Sequence, residues 1–452
     1  MKHRGKRTAY LMVGVTLAAC SLAAAQSSQK ASKPAPAKAA PAKPTQPATD
    51  QRADPITTLL QDAAAAMERK DYAAAIPPLQ SYLAQRPEDA TAQFQLGYAY
   101  SELQRWEEAI LAYGRAIALD PKLGAAHLNL GLLLLDREPA AAVERFRRAA
   151  ELMPEQARPR FLLAVALERA GKLAGAIEEY QAAERLDAKE YEIRFALGRA
   201  LLRANRATQA EAEFREALAL RGDAAPARLG LAESLRAQNE LEAAAAEFAA
   251  YLQLQPQDRE SRLRRATVLT DLGHYEQALE EIDRSDAEAA ASLESYKLRA
   301  EIRLQQKQWA EAGEVLQKAL GLAPRDAELH ARLGRVWLEK RDFPAAEREL
   351  RQALQLDRNW TDALRDLVAV YYLGERYQAT LQILDELDRR ETPGAGSWFI
   401  RATCYDRLGR KAEAVAAYEK FVALDQGRSE NQGFQARQRI RILARELEHK
   451  KR

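Results

Sequence analysis

An alanine recurs along this chain at a fixed interval: Ala75, Ala109, Ala142, Ala176, Ala210, Ala244, Ala278, Ala312, Ala346 and Ala414. The step is 34 residues, once 33, and Thr380 stands at the one missing place in the series. A constant period of this length means one helical supersecondary unit stacked many times. It restricts the chain to an all-α solenoid. Such a stack offers a long binding surface rather than a closed catalytic pocket.

Other positions keep the same beat. Twelve residues before the alanine comes a small residue: Ala63, Gly97, Ala164, Gly198, Ala232, Ala266, Ala300, Gly334 and Ala402. Gly131 joins this series after a one-residue deletion in its turn, and Val368 departs from it. Four residues after the alanine comes a large apolar side chain, as at Leu79, Tyr113, Phe146, Tyr180, Phe214, Phe248, Ile282, Leu316, Leu350, Leu384 and Tyr418. Small residues let two helices approach, and the large residue one turn on fills the groove between them. Within each half-unit apolar residues fall three or four apart, as in Leu96, Tyr100 and Leu103, then Ala109, Ile110, Tyr113 and Ala116. That spacing predicts an amphipathic helix pair. Gly171, Gly273 and Gly409 mark turns inside units; Pro87, Pro121, Pro154, Pro256 and Pro324 close five of them.

With Leu96, Gly97, Tyr100, Trp106, Ala109, Tyr113, Ala116 and Pro121 in one unit, the pattern resembles the tetratricopeptide repeat (TPR) family. Eleven units start at residues 56, 90, 124, 157, 191, 225, 259, 293, 327, 361 and 395 and end at 428. The resemblance implies a right-handed α-solenoid over 56–428. The tenth unit, 361–394, departs most: Val368 and Thr380 replace the small pair, and Pro393, Gly394 and Gly396 suggest a looser joint. After it, 429–452 reads as a basic capping helix whose stripe of Ile440, Leu443, Ala444 and Leu447 covers the last unit.

The N-terminus reads as a targeting segment, 1–25. Lys2, Arg4, Lys6 and Arg7 precede an apolar core from Tyr10 to Ala19. Two cleavage readings fit. Leu17-Ala18-Ala19-Cys20 resembles a bacterial lipobox, which makes Cys20 a lipidated N-terminus and attaches the protein to a membrane. Ala23-Ala24-Ala25 resembles an ordinary signal-peptidase site, which releases a soluble exported protein. Small residues crowding the end of the apolar run disfavour an uncleaved anchor. All three readings export the repeats, to the periplasm or the outer membrane of a Gram-negative bacterium. Residues 26–54, rich in Ala, Pro, Lys, Ser and Gln, form a disordered tether or a leader with no specific role.

Charge is unevenly spread. The overall +3 conceals repeats, 55–426, that carry a net −9. That is no footprint for nucleic acid. From 427 onward eight bases face three acids, so the tail either touches an anionic surface or presents an ordinary solvated face. Cys404 is the one cysteine beyond Cys20; it takes a slot held elsewhere by Ala99, Ala166 and Ala200, and reads as buried and inert. No internal disulfide is available, so stability comes from stacking.

The search for chemistry finds no HExxH, CxxC, phosphate loop or GxSxG elbow. His127, His274 and His330 lie on units too far apart to share a metal, and His127 and His330 share one helix position with Tyr296 and Trp398. Paired acids such as Glu107-Glu108 and Glu178-Glu179 read as solvated surface. The expectation is a protein without catalytic residues, cofactor or metal.

The family resemblance implies a site: the first helix of each unit lines a concave groove. Residues placed there are Phe94, Tyr98 and Ser101; Leu128, Leu132 and Leu135; Phe161, Val165 and Arg169; Phe195, Arg199 and Arg203. Farther along come Leu229, Glu233 and Arg236; Leu263, Thr267 and Thr270; then Lys297, Glu301, Arg335, Glu339, Arg365 and Tyr372. Residues 90–203 therefore read as a site for an extended peptide or helix with apolar anchors, with Arg169, Arg199 and Arg203 meeting an acidic neighbour or chain terminus. The Lys/Asn carboxylate clamp of some relatives is missing; Asn129 alone occupies one such slot. The expected function is a protein-binding scaffold of the bacterial cell envelope. The alternative is an accessory substrate-binding or regulatory subunit of an envelope polysaccharide or secretion complex, with Phe94, Tyr98 and Phe161 stacking on sugar. RNA binding, as in the similar pentatricopeptide units, is opposed by the 34-residue period, the acidic repeats and the export signal.

Overall fold

The computed structural model describes residues 55–288 and 290–451. The signal and tether readings for 1–54, with the lipidation reading for Cys20, lie outside the described residues.

Twenty-three α-helices follow one another, with no strand among the described residues. They pair as α1 (Pro55–Glu68) with α2 (Tyr72–Gln85), α3 (Ala90–Glu102) with α4 (Trp106–Leu119), and α5 (Gly124–Leu134) with α6 (Pro139–Leu152). Next come α7 (Ala157–Arg169) with α8 (Leu173–Leu186), α9 (Tyr191–Arg203) with α10 (Ala207–Leu220), and α11 (Ala225–Ala237) with α12 (Leu241–Leu254). Then follow α13 (Arg259–Asp271) with α14 (Tyr275–Glu288), α15 (Leu293–Gln305) with α16 (Trp309–Leu322), and α17 (Ala327–Glu339) with α18 (Phe343–Leu356). The last pairs are α19 (Thr361–Leu373) with α20 (Tyr377–Leu387) and α21 (Ala395–Arg407) with α22 (Lys411–Asp425); α23 (Glu430–Lys451) closes the series. Along the stack each second helix packs on the first helix of the next unit, and α9 with α11, α13 with α15 and α17 with α19 also meet directly. The fold is an α-solenoid of eleven helical hairpins.

The recurring alanines are the points of closest helix contact: Ala75, Ala109, Ala142 and their successors to Ala414 are 0% exposed. The large residue one turn later is buried beside the small residue of the partner helix. A Cβ added at Gly97 would lie 2.8 Å from the Tyr113 ring, and one at Gly334 would lie 2.6 Å from Leu350 Cγ. Each buried large side chain contributes roughly 1.5–3 kcal/mol.

The turn inside ten of the eleven units is set by one left-handed residue: Lys70, Gln104, Gly171, Asn205, Asn239, Gly273, Lys307, Arg341, Glu375 or Gly409. In unit two the Gln104 N–H donates to the Ser101 carbonyl and the Arg105 N–H to the Tyr100 carbonyl, both at 2.9 Å. This closes the first helix in the manner of a Schellman motif. Unit three has no left-handed residue; its one-residue deletion falls in this turn. Prolines do not all end helices here, because Pro77 and Pro78 lie inside α2.

Unit ten holds its place in the stack despite its departures. Thr380 is fully buried, and its hydroxyl donates to the Arg376 carbonyl at 3.1 Å. The extra polar atom is thereby satisfied inside the alanine slot. Cys404 is also fully buried, and burial pushes its thiol up to about 11. Beyond the repeats, α23 buries Ala436 and Leu443 and packs on α22. Arg439 holds it in place by donating to both carboxylate oxygens of Asp406, at 2.7 and 2.6 Å.

Candidate functional site

The first-helix face is built from a few repeated positions. The fifth residue of a first helix is aromatic or leucine in units two to five: Phe94, Leu128, Phe161 and Phe195. All four are half-buried. Their rings lean on the large second-helix residue of the same unit, Phe94 on Tyr113 at 5.6 Å, Phe161 on Tyr180 at 5.8 Å and Phe195 on Phe214 at 6.1 Å between centroids. The ninth residue, Tyr98, Leu132 or Val165, is half-buried as well, and so is Leu135. Tyr98 meets Tyr72 edge-on at 5.8 Å, and burial pushes its phenol far above the usual tyrosine range. These side chains are therefore shared between core and surface.

Three other positions expected on this face are buried instead: Ser101, Leu263 and Thr270. The twelfth residue of a first helix turns toward the second helix. The Ser101 hydroxyl donates to the Gly97 carbonyl at 2.9 Å and reaches the Tyr113 hydroxyl at 3.2 Å. Thr270 likewise donates to the Ala266 carbonyl at 2.8 Å. Asn129, on the neighbouring unit, donates to the Tyr113 hydroxyl at 3.2 Å.

The three arginines do not form one group. Arg199 and Arg203, on α9, reach back to Glu168 on α7; the Arg199 contact is 3.3 Å and that of Arg203 is closer. The Tyr180 hydroxyl donates to the other oxygen of Glu168 at 3.0 Å. Glu168 is 9% exposed, whereas the arginines are 50% and 55% exposed. Two guanidinium groups thus share one buried carboxylate and keep donors directed outward. Burial, and then the Glu168 charge, holds the Tyr180 phenol protonated far above its ordinary range. Arg169 is elsewhere, paired with Asp136 in the turn of the preceding unit. Glu168 escaped the sequence reading, although counting seven residues on from Phe161 reaches it in the position that holds Ser101 in unit two.

Past this point the face changes character. Glu233 accepts from Arg236 at 2.8 Å and from Arg264 of the next unit at 2.7 Å. Glu301 pairs with Arg332, Arg335 with Asp366 at 3.3 Å, and Lys297 with Asp326 at 2.8 Å. Arg365 pairs with Glu391. An open cleft of about 570 Å³ lies among Leu202, Asn205, Glu233, Arg236 and Arg264. Asp366 is largely buried, and its desolvation outweighs Arg335 and raises its carboxyl to about 6.

Two histidines brace turns. His127 Nε2 lies 3.2 Å from the Pro121 carbonyl, and burial lowers its pKa. His330 Nε2 lies 3.2 Å from the Pro324 carbonyl and its Nδ1 2.8 Å from Glu349. Arg194, Arg228 and Arg262 occupy the same helix position and reach the equivalent carbonyls of Ala188, Gly222 and Pro256. Among the described residues no group of His, Cys, Asp and Glu is arranged to hold a metal, and no helix is long and apolar enough to cross a membrane.

Comparison with known proteins agrees with this architecture. Tetratricopeptide repeat models match residues 128–191, 195–259 and 263–327, further ones match 303–371 and 395–428, and a TPR repeat model matches 97–136. The second half of unit ten falls in the gap between matches. No curated protein matches the chain. Similar solved structures include MamA 41-end from Desulfovibrio magneticus RS-1, 22% identical over 36% of this chain and 94% of that one, with a TM-score of 0.35. YrrB, a TPR protein with an unusual peptide-binding site, is 20% identical over 40% of this chain and 95% of its own, with a TM-score of 0.39. Yeast Tom70 is 12% identical over 87% of this chain and 96% of its own, with a TM-score of 0.36. Repeat models matching most of residues 97–428, on a stack of eleven hairpins, place the chain in the tetratricopeptide repeat family, whose fold serves protein–protein interaction.

Proposed function

We propose that this protein is a non-enzymatic scaffold of a bacterial cell envelope, and that the first-helix face between α3 and α9 takes a peptide or helical segment with apolar anchors. One observation carries the reading. Phe94, Tyr98, Leu128, Leu132, Leu135, Phe161, Val165 and Phe195 continue from unit to unit as half-buried apolar side chains, flanked by the Arg169–Asp136 and Arg199–Glu168 ion pairs. The run ends at Arg199 and Arg203, whose outward donors suit a carboxylate on the bound segment. A contiguous apolar surface rimmed by charge is a usual mark of a protein partner.

The envelope location rests on the N-terminal sequence: a basic start, an apolar core, and either the lipobox at 17–20 or the Ala-x-Ala site. The accessory-subunit reading, with sugar stacked on Phe94, Tyr98 and Phe161, is less well supported. Those rings already lean on Tyr113, Tyr72 and Tyr180 in tilted or edge-on contact.

A photo-crosslinking amino acid placed at Leu132, and separately at the exposed Leu111 of α4, tests the face in the native envelope. A partner captured from Leu132 and lost from Leu111 supports the proposal. So does loss of that partner in the Phe94→Ala, Leu132→Ala, Phe161→Ala variant with helicity unchanged. Equal capture from both positions would overturn it. Mass spectrometry of the mature N-terminus separates acylated Cys20 from free Gln26; an intact Met1 would remove both cleavage readings and leave only the uncleaved anchor.

A further inference from the structure

The seventh residue of a first helix packs against the preceding unit, and in seven units it is a buried leucine, among them Leu96, Leu197 and Leu367. In units eight and eleven this position holds Arg299 and Arg401. Each arginine reaches back into the second helix of the unit before it and finds two aspartates. Arg299 donates to Asp283 at 2.6 Å and to Asp286 at 2.9 Å. Arg401 donates to Asp385 at 2.5 Å and to Asp388 at 2.6 Å.

The two sets are copies of one arrangement. Arg299 and Arg401, Asp283 and Asp385, and Asp286 and Asp388 are each 102 residues apart, three units of 34. Aspartate stands at the ninth and twelfth positions counted from the start of a second helix in units seven and ten alone, Asp388 as the C-cap of α20; the twelfth position is otherwise most often apolar, as at Leu83, Leu218 and Leu320. The arginine and its aspartates therefore arrive together, on opposite sides of the same joint. Unit seven provides the contrast. Arg265 takes the leucine position there too, but its carboxylate, Glu281, belongs to its own unit.

Both joints are thinly packed. Among described pairs that join one unit to the next, α14 with α15 and α20 with α21 make the least contact. No single buried cluster bridges the second joint, where one reaches Tyr371 and the next starts at Phe399 with Leu381, Leu384 and Leu387 buried between them; at the first joint the core runs on from Ile282 to Ile302. The second joint also has a long connection, 388–394, containing Pro393 and Gly394. One oxygen of Asp388 is buried there without a hydrogen-bond partner. Interdigitated leucines fix an angle through many contacts, whereas an ion clasp fixes it through two or three.

We propose that the solenoid is articulated at these two places, so that units eight to ten form a body that swings on an Arg–Asp–Asp clasp at either end. The first-helix face then changes its curvature at 290–299 and at 388–401, while the stack before α14 stays stiff.

Distances between paired spin labels test this in the full chain, with both cysteines replaced by alanine. One pair, at Glu242 and Lys318, spans the first clasp. A second, at Arg348 and Glu419, spans the other. A control pair at Glu144 and Gln209 spans two units without a clasp. Distributions across the clasps should be roughly twofold wider than the control. Converting a clasp to residues found at the same positions elsewhere in this chain (Arg299→Leu, Asp283→Gln, Asp286→Leu, or Arg401→Leu, Asp385→Gln, Asp388→Leu) should narrow that distribution to the control width. Equal widths in the unconverted chain overturn the proposal, whether or not the converted chains fold. A converted chain that folds and keeps the broad distribution overturns it as well.

Discussion

Units two to four and units six to nine use the same helix positions and fill them with opposite chemistry. The ninth residue of one first helix neighbours the sixth of the next. In the early units these pairs are Tyr98 with Asn129 and Leu132 with Leu162. In the later units three of the four are ion pairs, Glu233 with Arg264, Glu301 with Arg332 and Arg335 with Asp366, and the fourth is Thr267 with Leu298. Backbone and register are common to both, so the contrast belongs to the side chains. The early face leaves apolar surface that a partner can cover. The later face satisfies its own charges between units and offers a partner less to gain, because such contacts must first be broken.

If that contrast is physical, removing a side chain should hurt folding in the later units and binding in the earlier ones. Glu281→Ala should show the largest effect. Its carboxylate is 4% exposed and receives Arg262 at 3.1 Å and Arg265 at 2.6 Å. Leaving those cations buried without it costs about 3–5 kcal/mol. Leu132→Ala, half-buried, should cost about 1–2 kcal/mol and show itself mainly in partner capture. Urea unfolding of the two variants measures both costs; equal losses would erase the distinction.

Asp366→Asn sharpens the same contrast through pH. In the folded chain the Asp366 carboxyl titrates at about 6, above its unfolded value, so folding favours the protonated form. Its charged form therefore weakens the fold at pH 8, by about 2–3 kcal/mol, and the penalty disappears as pH falls through 6 toward 4. The asparagine variant should be more stable than the parent at pH 8 and no more stable at pH 4. A loss of stability at pH 8 would show that Arg335, rather than burial, governs this position.

The smallest effect should be alike in both regions. Gln104 and Lys307 hold φ values of 58° and 56° in equivalent turns, one in each region. Glycine at either should add about 0.5–1 kcal/mol by relieving the left-handed strain. Calorimetry showing a gain in one region alone would mean that the turns, too, differ.

The order of the helices was legible because its signal is sterically strict. An alanine packed against another helix tolerates nothing larger without a compensating change, so Ala75 to Ala414 kept their phase over eleven units. Thr380 shows the margin: a hydroxyl fits because it bonds to the Arg376 carbonyl. The face residues were less legible. Ser101, Leu263 and Thr270 share the periodicity of a surface stripe yet turn inward, since a rotation of a few tens of degrees separates the groove from the hairpin interior. The Arg199–Arg203–Glu168 cluster was missed for a related reason. Its basic residues were read as a group with Arg169, but which carboxylate each one reaches depends on side-chain direction.

The amino-acid sequence by itself determined the unit, its length, the number of copies and the glycine-marked turns, because these follow from local spacing and from contacts repeated every 34 residues. Only the tertiary structure decided which charges neutralise one another between units, which aromatic rings belong half to the core, and where arginine and aspartate stand in for leucine at a joint. Those outcomes depend on the reach and burial of individual side chains, and a periodic pattern averages over both.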